Sequence, residues 1–452
     1  MPISNLPPSP RMSALTQTIR FFKDPFALTS YCRRELGDLF TLRLLGMGNW
    51  VFATEPQHIK EVFKAPPDVL VSGEVNAAML GFMLGQEATF SMDGDPHLKR
   101  RKLMLPFFNG KGLLEKIELI REVTKAELAK IPHGEPFCFG PFAMRISLGV
   151  VMHIFFGASP KTEVEELTRV FERYAEDGLR SPLLMLPLLQ LNLGRFSPWG
   201  RILGLRKRAF DAFARAIASR RASPALFEKG DVASLLCEWR DENGLPLSEE
   251  SIRDEVFNDL FAGHETTAKV LSWSLVCALS HPQALARLRE ELDRVLGGGP
   301  IRADHLKELP YTMAFLEETR RYQPLAPFAG VRLAKQPFAL GGYLIPPGTK
   351  VVQGISVLAE RQEIFENPEK FEPERFLTGT KPYNWNPFGG GRRMCLGKGL
   401  AEVELAVFLA TLLTSFDIEL AQPSVERERA GFFFAPSHGL KLVIRPRQSH
   451  LV

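Results

Sequence analysis

Residues 386–401, Asn-Pro-Phe-Gly-Gly-Gly-Arg-Arg-Met-Cys-Leu-Gly-Lys-Gly-Leu-Ala, set one cysteine among five glycines and two arginines, just ahead of a helix expected from Leu400 to about Ser415. Glycines let a backbone approach something flat and bulky. A helix N-terminus and neighbouring arginines favour the thiolate of Cys395, which suits a metal ligand or a nucleophile. A phosphate loop needs G-x-x-x-x-G-K-[ST]; here Gly391 and Gly397 enclose five residues and Gly399 follows Lys398, so that frame fails. Zinc or iron-sulfur binding would want more cysteines nearby, and Cys277 is far upstream. A single axial thiolate on a haem iron needs only one.

Three further groups carry chemistry. Phe261-Ala-Gly-His-Glu-Thr-Thr-Ala268 interrupts an apolar helical stretch with an acid and two hydroxyls, costly to bury unless satisfied or used; the threonines can instead bond back to the preceding turn. A zinc-protease H-E-x-x-H is excluded by Ala268. Glu318-Thr-Arg-Arg321 puts acid and base three apart on one helix face, ordinarily a solvated ion pair, and Phe371-Glu-Pro-Glu-Arg375-Phe376 follows. Glu317 and Arg320 share that spacing, so either frame is open. His97 and Arg101 lie four apart on one helical face of a basic segment.

Together these residues resemble the cytochrome P450 monooxygenases. Phe388-x-x-Gly391-x-Arg393-x-Cys395-x-Gly397 matches that family's haem-binding signature at all five fixed positions. Ala262-Gly263-His264-Glu265-Thr266-Thr267 is similar to its [AG]-G-x-[DE]-T-T segment, and Glu318, Arg321 and Arg375 to its buried Glu-Arg-Arg network; Arg321-Tyr-Gln-Pro324 favours that frame over Glu317/Arg320. The resemblance implies haem b (iron protoporphyrin IX) ligated by Cys395, with His97, Arg101, Arg332 and Arg393 on its propionates. It implies that Phe388, Gly391 and Gly397 shape the cysteine loop and that Ala262 and Gly263 leave room for oxygen and substrate. Glu265 and Thr266 would relay protons. His264 receives no role. O2 would be co-substrate, with electrons from NAD(P)H reaching the haem through a separate ferredoxin or flavodoxin-type donor. Lys99, Arg100, Lys102, Arg392 and Lys398 are candidates for its docking face. The expected substrate is a lipophilic small molecule, a fatty acid or terpenoid for example, undergoing hydroxylation or epoxidation. Alternatives are a haem-thiolate peroxygenase or isomerase, a haem-binding protein without catalysis, and a metallohydrolase centred on His264-Glu265.

Elements must hold these groups in place. Ser248 can cap a helix from Glu249 to about Ser280, ended by His281-Pro282; some 32 residues span about 48 Å. Phe40 to Thr54 reads as a hairpin around Gly46-Met-Gly48; Val331–Ala334, Phe338–Gly348 and Lys350–Val352 as short strands and turns; Phe432–Ala435 with Leu440–Ile444 as a further hairpin. The expected class is mainly α with small β-sheets, the P450 fold, haem lying between the long central helix and the cysteine loop with its helix. A pocket is expected from residues 72–91, 183–193, Phe261, Ala262, 325–331 and 432–434.

The 452 residues, 45% hydrophobic and 24% charged, match an ordinary globular chain, and no linker divides them, so one domain over 1–452 is expected, with 1–20 a loose arm. Net charge +4 without long basic runs points away from nucleic acid. Five sparse cysteines fit a reducing compartment, and no apolar run approaches the roughly 18 residues of a membrane span. A cytoplasmic monomer without a transmembrane anchor is expected.

Overall fold

The central helix forms because its start and end are specified locally. Ser248 adopts extended backbone and its hydroxyl accepts from the N–H of Ser251 at 2.9 Å, so the helix runs Glu249–Ser280, all 32 residues, and stops at His281 before Pro282. In this computed structural model, residues 6–157, 159–179, 191–223, 230–378 and 384–447 are described. Helices dominate, and the sheets are small. The main hydrophobic core gathers around the central helix from Gly140–Phe156, Lys161–Tyr174, Pro198–Arg221, Pro310–Tyr322 and the cysteine helix Lys398–Ser415.

Gly140–Phe156 packs most closely on the central helix. Gly263 makes this approach: a Cβ there would sit 2.9 Å from Val151 Cγ2, and its carbonyl accepts from the Ser147 hydroxyl at 3.1 Å. The glycine is therefore required by helix packing, whatever it also leaves open.

A five-stranded sheet has the order Leu39–Leu44, Gly48–Ala53, Lys350–Gln353, Ala329–Ala334, Leu70–Val71. The first two strands are the expected hairpin, registered Leu39 to Ala53, and Gly48–Ala53 then pairs in parallel with Lys350–Gln353. Between Ala329 and Arg332 the register against Lys350–Gln353 shifts, a bulge that redirects the Arg332 side chain.

Two expectations need correction. Residues 432–435 and 440–444 are not partners: Phe433–Pro436 pairs with Arg427–Ala430, whereas Lys441–Pro446 joins Phe416–Leu420 and Phe137–Cys138. The chain swings away at His438 and Leu440, whose φ angles of 56° and 54° break the run. From residue 6 onward the N-terminus is no loose arm: the Pro7 carbonyl accepts from the Thr41 hydroxyl at 2.7 Å, and Gln17, on the helix Ala14–Lys23, accepts from the N–H of Arg43 at 2.8 Å, so the segment docks by edge hydrogen bonds that apolar periodicity does not reveal. Among the described residues no helix is long and apolar enough to cross a membrane.

Gly263→Ala is expected to lower stability by about 1–3 kcal/mol through overpacking on Val151, and Val151→Ala to recover part of that loss; thermal unfolding of the two single variants and the double variant measures the coupling.

Candidate functional site

The cysteine loop is fixed at several points. The Cys395 N–H donates to Phe388 O at 2.9 Å, and the Gly397 N–H donates to the Cys395 sulfur. Gly391 has φ +63° and passes so close to the Phe63 carbonyl that a Cβ would lie 2.5 Å from it, so glycine is required there twice over. At Gly397 the backbone has no such need; a Cβ would project into open space, leaving a cradle that a larger residue would fill.

Cys395 is exposed although densely enclosed, which places its sulfur on an internal cavity. Burial raises its pKa, outweighing the Gly397 N–H and the Arg101 charge that lower it. The neighbouring arginines do not supply the expected thiolate stabilisation: Arg392 is exposed, and Arg393 turns to Asp93, to Met92 O and, at 3.3 Å, to Thr89 O. A bound metal cation reverses that balance, since a coordinating thiol is deprotonated outright.

Across the cavity stands the central helix. Between Asp254 and Ala278 every residue is buried except Asp259, Ala262, Gly263 and Thr266. Their spacing of 0, 3, 4 and 7 is one helical stripe. The Thr266 hydroxyl donates to Ala262 O at 2.7 Å, bonding back one turn. Glu265 lies off the stripe, 3% exposed, ion-paired with Lys269, whose ammonium also donates to Ala430 O at 2.8 Å. His264 is buried, with Nδ1 3.2 Å from Leu260 O and its ring edge-on to Phe171 at 5.5 Å. Among the described residues no three His, Cys, Asp or Glu side chains gather as a metal site, so the His264-Glu265 hydrolase has no ligand set there.

At the cavity rim three guanidinium groups and one imidazole converge on few acids. His97 and Arg101 come from the helix Gly94–Phe108, Arg332 from its bulged strand, and Arg393 from the loop. Arg101 and Arg332 have no ion-pair partner among the described residues, while Arg393 is held by Asp93. Burial and then Arg393 push Arg332 down to about 10; burial, Arg393, Arg101 and Arg332 push His97 down to about 4. Buried, unpaired guanidinium groups are costly, and bidentate carboxylates are their natural partners. A flat group with two carboxylates and a metal for Cys395 fits this donor set.

Behind the loop, Glu318 binds Arg321 through both oxygens at 2.7 Å and also accepts from Arg375 Nε at 3.2 Å and the Glu372 N–H at 2.8 Å. Arg321 bonds the carbonyls of Ala359, Pro368 and Lys370, tying the segment before the cysteine loop to the helix Pro310–Tyr322. The second frame is also occupied: Arg320 pairs with Glu317 and lies 5.2 Å from the Phe388 ring centroid.

Some placements differ from expectation or fall outside it. Arg100 is no docking residue, because it points inward, 7% exposed, onto Glu255 at 3.1 Å. Of the expected pocket wall, residues 183–190 lie outside the described residues; Phe261 is buried edge-on to Phe432 at 6.0 Å. Asp259, Glu255, Lys269 and Asp93 were not singled out; Asp259 lies seven residues before Thr266, a helical spacing already visible in the chain. Glu318→Ala should cost about 3–5 kcal/mol by stranding two guanidinium groups; Glu317→Ala strands only Arg320, whose partner carboxylate is 22% exposed, and should cost less, about 1–3 kcal/mol. Urea unfolding of both variants measures the difference.

A model of the family Cytochrome P450 matches residues 4–442. "Putative cytochrome P450 138" of Mycobacterium bovis is 33% identical over 449 residues, covering 99% of this chain and 98% of that protein. "Putative cytochrome P450 137" of Mycobacterium tuberculosis is 35% identical over 416 residues, covering 91% and 84%. Among solved structures, retinoic acid-bound cyanobacterial CYP120A1 superposes with a TM-score of 0.84 at 25% identity, covering 98% of this chain and 100% of that one. With a cysteine loop and a cation-rimmed cavity in place, and relatives matched over nearly their whole length, the chain belongs to the cytochrome P450 family of haem-thiolate monooxygenases.

Proposed function

We propose that this P450 inserts one atom of O2 into a lipophilic molecule by hydroxylation or epoxidation, using electrons that originate in NAD(P)H and arrive through a separate ferredoxin or flavodoxin-type protein. The observation that carries the reading is Cys395: a lone, enclosed thiol facing, across one cavity, the stripe Ala262-Gly263-Thr266. Haem bound there would supply oxygen activation, with Cys395 as its electron-rich thiolate ligand.

The chain's own residues do the rest. Cys395 ligates through a sulfur held by the Gly397 N–H. Arg101, Arg332 and His97 bind the propionates, and Arg393 orients through Asp93. Ala262 keeps the stripe low enough for oxygen and substrate. Thr266 presents a hydroxyl at the cavity and can give up its bond to Ala262 O to hold a proton donor. Glu265 reaches that hydroxyl only by releasing Lys269, so its proton transfer is gated by an ion pair. Glu318, Arg321 and Arg375 keep the loop registered behind the haem.

A lipophilic substrate is supported by the apolar surroundings of Phe261 and Phe432, and retinoic acid in CYP120A1 favours an isoprenoid-type molecule. Lys99, Lys102, Arg392 and Lys398 remain as the docking face once Arg100 is removed from it. Five free cysteines suit a reducing cytoplasm, and a single domain accommodates the whole site. Retention of Glu265-Thr266 favours oxygen activation over a peroxide-driven or isomerase reaction.

The carbon monoxide difference spectrum of the reduced protein tests this reading: a strongly red-shifted Soret band is expected, lost in Cys395→Ala. An unshifted band in the parent chain, or an unchanged red-shifted band in Cys395→Ala, overturns the ligand assignment. Thr266→Ala should keep the spectrum while electrons are diverted from product to peroxide or water, lowering product per NAD(P)H severalfold; full coupling would remove Thr266 from the relay.

A further inference from the structure

Asp259 is the only carboxyl on the cavity stripe of the central helix; Glu265 is not on it. Seven residues separate Asp259 from Thr266, about 10.5 Å along the axis on the same face. One turn earlier is Glu255, fully buried. Its Oε2 is saturated, accepting from the Thr89 N–H and hydroxyl at 2.8 Å each and from Arg100 at 3.1 Å. Among the described residues its Oε1 has no partner, and neither does Oδ2 of Asp259, whose Oδ1 accepts from Asn258 at 3.0 Å. Two carboxyl groups four residues apart on one helix, each with a buried oxygen left bare, favour one proton held between the pair, because two nearby carboxylates cannot both stay charged away from water.

We propose that Glu255 and Asp259 hold a single proton for the pair, residing on Asp259, and form a second proton store for the cavity, feeding oxygen reduction along the stripe that ends at Thr266. The destination of the proton rests on the haem-thiolate reading; the shared proton does not. Asp259 gives its proton to cavity water, which passes one of its own toward the Thr266 hydroxyl and so to dioxygen being reduced with electrons from the redox partner. The pair, left as two carboxylates, recovers a proton from solvent. The nearby rim is polar: Arg100 also donates to the Ser251 hydroxyl at 3.0 Å, Ser251 to Glu87 O at 3.3 Å, and Ser248 to the exposed Glu87 carboxylate at 3.1 Å.

The surrounding charges fit this role. Burial holds Asp259 well above the usual carboxylate range and repulsion from Glu255 adds to it; the Asn258 bond and the charges of Arg100 and Arg101 pull downward without prevailing. Cys395, on the loop, lies within electrostatic range of Asp259. Arg100, engaged with Glu255, keeps that member the better anion, so Asp259 on the cavity side carries the proton. The two acids therefore divide the work: Glu265 is gated by Lys269, while Asp259 is protonated and ready at the wall.

Infrared difference spectroscopy of the holoenzyme at neutral pH tests the pair directly. A protonated carboxylic acid band is expected in the parent protein, absent in Asp259→Asn and retained in Glu265→Gln; the band of buried Glu404, removed separately by Glu404→Gln, serves as the control. Glu255→Gln should keep the Asp259 band but make it titrate at lower pH, since a repelling charge is gone. Product per NAD(P)H in Asp259→Asn should fall by about tenfold, more steeply as pH rises, with recovery in Asp259→Glu. Persistence of the band in Asp259→Asn, or a coupling and pH profile equal to the parent's, overturns the proposal. Failure of the underlying reading is seen elsewhere, as loss of the red-shifted carbon monoxide band with the infrared band intact.

Discussion

A thiol enclosed as Cys395 is resists ionisation, and the surrounding fold is arranged around making that ionisation possible only when a cation arrives. Burial raises its pKa, the adjacent arginines are turned elsewhere, and one backbone N–H is the main local help. The sulfur is thereby protected from casual oxidation and exchange, which need thiolate, yet remains a strong ligand once a metal displaces its proton. Positioning it demands a rigid loop, hence the contact of Gly391 with Phe63 and the brace of Glu318, Arg321 and Arg375 behind.

Charge is distributed on the same principle. The rim holds more cations than acids, and burial, with repulsion from the neighbouring guanidinium groups added to it, lowers the pKa values of His97 and Arg332. Such an arrangement disfavours the protein alone and favours a complex with a dicarboxylate, so binding energy is partly relief of internal repulsion. On the central helix the polarity is opposite: acids at Glu255, Asp259 and Glu265 accompany hydroxyls, each acid handled differently by its neighbours.

Much of this was legible in the chain because local rules specify it. Ser248 and His281-Pro282 mark both ends of the central helix, and the Gly46–Gly48 turn marks the hairpin. The cysteine motif and the Glu318 frame are carried by short, fixed spacings. What was not legible depends on distant partners: the docking of Pro7 on Thr41, the pairing of Lys441–Pro446 with Phe416–Leu420, and the inward turn of Arg100 toward Glu255. A basic residue in a basic helix reads as surface until the acid 155 residues away is known. Gly263 illustrates the mixed case, its motif readable but its packing on Val151 not.

The clamp between Asp93 and Arg393 joins positions 300 residues apart. At about 5–20 residues per second of synthesis, Asp93 emerges from the ribosome roughly 15–60 s before its partner exists. During that interval the helix bearing His97 and Arg101 has no cysteine loop to close against. The N-terminal two thirds of this enzyme thus cannot complete its own site while being made. A site closed by this clamp depends on a residue made long after the helix it must hold.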